Sequence, residues 1–127
     1  MSKTTELRTV LRELLLQSCA RVHYTENLLD DDAAPQYPYC IYSTREIDKT
    51  DSMILGELEV NVVDFGPDTA QAERIADEIQ QRLDHLCHLG KEVGFWLYPG
   101  IRQPVQDENK RLIRRRLTFE LHLMERS

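Results

Sequence analysis

The hydrophobic positions change period three times along the chain. Leu7, Val10, Leu11, Leu14 and Leu15 recur at helical spacing, and Leu58, Val60 and Val62 alternate at strand spacing. Ala72, Ile75, Ala76, Ile79, Leu83 and Leu86 return to helical spacing, and Ile113, Leu117, Phe119, Leu121 and Leu123 alternate again. A helix buries a stripe and a half-wet strand buries alternate residues, so this order predicts helices laid on a sheet. The fold class expected is α+β: an antiparallel sheet of about four strands with two helices packed on one face. Leu11, Leu14, Val60, Ile75, Ile79 and Phe119 stand central in their stripes and are expected to share one core.

The punctuation of the chain sets the boundaries. A first helix is expected from Thr4 or Thr5 to about Cys19, with a threonine hydroxyl capping its first turn. A short extended piece, Arg21–Tyr24, follows. Glu26–Pro38 reads as a loop, since Asp30, Asp31 and Asp32 repel one another and Pro35 and Pro38 remove backbone donors. Tyr39–Thr44 and Ile54–Phe65 read as strands joined by a polar hairpin loop, Arg45–Ser52. Gly66-Pro67-Asp68 breaks the second strand, and a second helix is expected from Pro67 or Asp68 to Leu86 or Cys87. Lys91–Tyr98 is expected to be a third strand and Arg111–Glu125 a fourth. Ile101–Lys110, with both charge signs and Pro104, reads as the loop between them.

Composition narrows the class. With 127 residues, 41% hydrophobic and 30% charged, the chain has the makeup of one globular domain covering residues 1–127. A formal charge of −6 gives no general reason to bind nucleic acid. No stretch approaches a membrane span, and the first residues lack the apolar core of a signal peptide, so a cytoplasmic location without membrane partners is expected. Cys19, Cys40 and Cys87 are then expected to be reduced thiols.

Candidate chemistry is sparse. Asp84-His85-x-Cys87-His88 is the tightest set of metal-ligand types, but it lacks the second pair that a zinc site uses, and no metal or cofactor is expected. An enzyme site assembled from His23, Cys40 and His122 would need the histidines beside the thiol. The run Arg111, Arg114, Arg115, Arg116 is the most unusual local charge. On a strand, Arg114 and Arg116 share the outer face, while Arg115 falls in line with Ile113 and Leu117 and interrupts the apolar face. Set against the acidic remainder of the chain, this favours a solvated strand face or a subunit contact over nucleic acid.

Several segments resemble phage tail-terminator, or tail-completion (minor tail), proteins. They are the opening helix LRTVLRELLLQS and the strand PYCIYSTRE after an acidic, proline-bearing loop. With them go the strand ELEVNVVDFG running straight into the helix PDTAQAERIADEIQQRL, and the long strand IRRRLTFELHL. The stretch VGFWLYPGIRQPV departs from that pattern. The resemblance implies a non-enzymatic assembly protein that forms a ring, often of six copies, on the end of the tail tube. Such a ring stops tube growth and offers the surface to which the head joins. Its implied partners are further copies of itself, the tail-tube protein and a head-completion protein, with assembly in the host cytoplasm and residence in the virion tail. The polar loops and the outer strand face are where contacts are expected, at Arg45, Asp48, Lys49, Arg102, Lys110, Arg114 and Arg116. A small cellular protein-binding adaptor of the same fold and the Cys/His enzyme are the alternative readings.

Overall fold

The computed structural model describes residues 3–24 and 36–125. Among the described residues, two helices, α1 (Lys3–Leu16) and α2 (Ala70–Leu83), accompany seven strands. These are β1 (Val22–Tyr24), β2 (Tyr39–Lys49), β3 (Ile54–Phe65), β4 (Cys87–Leu89), β5 (Val93–Leu97), β6 (Ile101–Val105) and β7 (Leu112–Glu125). Most of the expected loop Glu26–Pro38 lies outside the described residues.

The sheet runs β1-β2-β3-β7-β5-β4, and β6 also pairs with β7. The expected antiparallel sheet of about four strands is therefore wrong: there are seven, and the sheet is mixed, because β1 lies parallel to β2. Three segments escaped the pattern for different reasons. Arg45–Lys49, read as loop, extends β2 beyond the core, where both faces are wet and no apolar alternation survives. Ile101–Val105, also read as loop, is β6. As an edge strand with one neighbour it tolerates Pro104, whose missing donor would break an inner strand. Cys87–Leu89, where the second helix was expected to end, is β4, paired with β5. The helix before it stops at Leu83, and His85 takes a left-handed conformation, φ 62°, that turns the chain back towards the sheet.

Both helices contribute to one core. Leu7, Leu11 and Leu15 of α1, one turn apart, and Ala72, Ile75, Ala76, Ile79 and Leu83 of α2 are buried. They meet the alternate residues of the central strands, including Leu58, Val60, Leu117 and Phe119. Of the expected core, Leu14 is only partly buried, at the rim of the cluster, and the other five are buried. Helix α1 ends earlier than Cys19, at Leu16, and Cys19 turns into the core. At the start of α2 the Asp68 carboxylate accepts the Ala70 N–H at 3.0 Å, while Thr69 occupies the cap position without a side-chain bond. Among the described residues no helix is long and apolar enough to cross a membrane.

One glycine is sterically required. A Cβ on Gly56 would stand 2.5 Å from the backbone oxygen of Arg45 on the neighbouring strand. Backbone cannot swing aside as a side chain can. Gly56→Ala is expected to cost about 1–3 kcal/mol, the range for overpacking, read as a lower urea midpoint at unchanged slope.

Candidate assembly surface

Strand parity gives the sheet two unlike faces. Even-numbered residues of β2 and β3 and odd-numbered residues of β7 point to the core, and the remainder form an outer face away from the two described helices. Cross-strand register arranges that outer face in rows. Tyr39, Val63, Arg114 and Val105 form one row, and Ile41, Asn61, Arg116 and Gln103 the next. Ser43, Glu59, Thr118 and Ile101 follow, then Arg45, Glu57 and Glu120, then Leu55, His122 and Trp96.

Charges on this face are only partly matched within the chain. Arg45 lies 3.3 Å from Glu57, and Arg116 Nε lies 3.3 Å from Glu59. The second contact lacks hydrogen-bond geometry, so Arg116 Nε, like Arg114 Nε and Asn61 Oδ1, is buried without a hydrogen-bond partner. Glu120 leaves 62% of its side chain exposed, and His122 lies 3.3 Å from it. Aromatic groups close both ends: Tyr37 packs on Tyr39 and Phe65 at one, and His122 packs on Trp96 and Tyr98 at the other.

The expected contact residues fall in three places. Arg114 and Arg116 lie on the outer face, and Arg45 joins them from β2. Asp48 and Lys49 end the exposed arm of β2, and Lys110 lies in the β6–β7 connection. Arg102 is turned the other way. Its guanidinium donates to Glu73 at 2.9 Å, Asp77 at 2.6 Å and Gln80 at 2.8 Å, all on α2. Arg115 donates to the same Glu73 and to the carbonyl of Arg114. The arginine that interrupts the apolar face of β7 is thus a strut between sheet and helix. Glu73, Asp77 and Gln80 stand about one helical turn apart, so they present one face of α2 to Arg102.

The candidate chemical sites are not brought together. Cys40 points into the core, whereas His23 and His122 lie on the opposite face of the sheet. Cys40 meets Cys19, and the hydrogen bond between the thiols lowers Cys19 to about 7; that bond and burial push Cys40 up. In the Asp84–His88 segment, Asp84 accepts the Gly100 N–H at 2.8 Å. Cys87 is exposed, and His88 stands 3.3 Å from Glu6 of α1. Among the described residues no group of three or more His, Cys, Asp or Glu side chains is placed to hold a metal ion.

The chain matches no protein-family model and no curated protein. Among solved structures it is similar to a chain of the virion of a native gene transfer agent particle. The TM-score is 0.57 at 16% identity, over 97% of this chain and 92% of that one. At that identity the shared property is the fold.

Proposed function

We propose that this protein is a non-enzymatic structural component of a phage or phage-like virion, acting as a tail terminator. In this reading copies close into a ring on the tail tube, six being the number the resemblance implies, and the ring offers the surface that joins the head. The observation that supports it best is the fold shared with a gene transfer agent virion chain over nearly the whole length. An open sheet face with unmatched charge supports it further, since such a face suits contacts between subunits. Head-to-tail contacts whose rotation closes give rings. The contact surface proposed comprises Arg45, Arg114 and Arg116 on the outer face, Asp48 and Lys49 on the β2 arm, and Lys110. Arg102 contributes by holding β6 against α2. The partners proposed are further copies, the tail-tube protein and the head-completion protein.

The test is a complementation assay for head–tail joining with Arg114→Glu and Arg116→Glu together, with folding checked by circular dichroism. A folded double variant is expected to lose joining, and the residual activity of either single variant should fall further as salt rises. Normal joining by the folded double variant would remove this face from the assembly.

A further inference from the structure

The charge pattern of the outer face complements itself. Consider two copies packed face to face about a two-fold axis that lies between the sheets and crosses β7 at a right angle. Such an axis sets residues equally far from it on the same strand against one another. Placed over Arg116, it sets Arg116 against its own copy. Placed over Thr118, it sets Glu59 against its own copy, because Glu59 and Thr118 share a row. Midway between Thr118 and Glu120, it sets Glu59 against Glu57. Midway between Arg114 and Arg116, it sets those two arginines together. At the level of Leu117 no like charges meet.

We infer that the free chain pairs with a second copy in this register, Arg114 of each meeting Glu120 of the other. The pairing sets the positive Arg114 against a carboxylate that is well exposed in the single chain. Arg116 meets the Thr118 hydroxyl, and Asn61 meets Glu59. Arg45 reaches the Tyr37–Tyr39 end of the other copy, where a guanidinium over an aromatic ring is favourable. Two sheets packed face to face lie about 10 Å apart, a gap that arginine and glutamate side chains span.

The matched rows cover about 20 Å along the strands and roughly four strands across, on the order of 400 Å² per copy. That is the size of weak, reversible contacts, so the pair forms at high protein concentration and low salt. Its consequence is protective: the free chain hides the surface that the tail-capping reading exposes to partners. The inference rests on that reading only for this consequence.

Sedimentation velocity on the full chain, over a range of concentrations at low and high salt, tests the pairing. The wild type is expected to show a monomer–dimer equilibrium that salt weakens. Arg114→Glu and Glu120→Arg should each raise the dissociation constant roughly tenfold or more, since each sets like charges together twice. The chain carrying both changes should dimerise again, and an equimolar mixture of the two single variants should form heterodimers. A wild type that stays monomeric at low salt overturns the pairing, as do single variants that dimerise normally or a folded double variant that stays monomeric. None of those results bears on tail capping, which complementation reads separately. A wild-type chain that dimerises in this way but never joins heads to tails in complementation would overturn capping and uphold the pairing.

Discussion

Phe119→Ala is expected to be the most damaging single truncation, at about 3–5 kcal/mol. The ring is fully buried on the central strand β7, directly opposite Leu58 of β3. It also supports the turn into β6: a Cβ on Gly100 would stand 2.6 Å from the ring edge, so the bare backbone lies against it. Neither a sheet strand nor a turn with that fit can collapse into the space left behind, so the cavity term is retained in full. Against a total stability of about 5–15 kcal/mol for a domain, such a loss brings the chain close to unfolding at room temperature. Urea denaturation followed by circular dichroism measures it; a loss below about 1 kcal/mol would remove Phe119 from the centre of the core.

Loss of Glu73 should come next. Its carboxylate holds both Arg115 and Arg102, and no other carboxylate reaches Arg115 among the described contacts. Arg115 exposes only 16% of its side chain, so removing its partner leaves a poorly solvated charge beside the core. Glu73→Ala is expected to cost about 2–3 kcal/mol at neutral pH, the range for hydrogen bonds to charged groups. The hydrogen bond from Arg115 leads the effects that hold the Glu73 carboxyl below its ordinary 4.5, against the opposing push of burial, with Arg102 adding to it. A carboxyl depressed in the folded state stabilises the fold fully above its unfolded value, and that stability is lost as pH falls through the folded value. The gap between wild type and Glu73→Ala in urea midpoint should therefore be full at neutral pH and narrow in acid. A gap of constant size across that range would reject the ion-pair account.

How far the fold was legible depended on what each residue faces. Ala72 through Leu83 and Ile113 through Leu123 each lie between core and solvent, so burial writes their geometry into the hydrophobic period. Arg45–Lys49 and Ile101–Val105 are strands held by backbone pairing, and their side chains carry little trace of it. Backbone hydrogen bonds do not depend on side-chain polarity, which is why the sheet has more strands than the alternation implied. Arg115 was visible as an interruption of an apolar face, but its carboxylate partner, Glu73, lies 42 residues away on α2, beyond any local spacing rule. The outer-face arginines could be placed on a strand from parity alone. Which carboxylates lie opposite them needed the register.

The position of β7 governs the order in which the molecule can form. It pairs with β3, β5 and β6 and follows all three in the chain. While a ribosome is still making the segment before Leu112, β3 has one hydrogen-bonding side unfilled, and β5 and β6 lack the strand that joins them to the rest of the sheet. Their core-facing residues have only the helices to meet. The decisive pairings span long stretches of chain, and closing such loops is slow, on the millisecond-to-second scale of sheet-rich domains. Native packing here is thus a late event, completed from the middle of the sheet outwards. In the interval the unfinished edges of β3 and β5 are the surfaces on which a nascent chain is most open to pairing with the wrong strand.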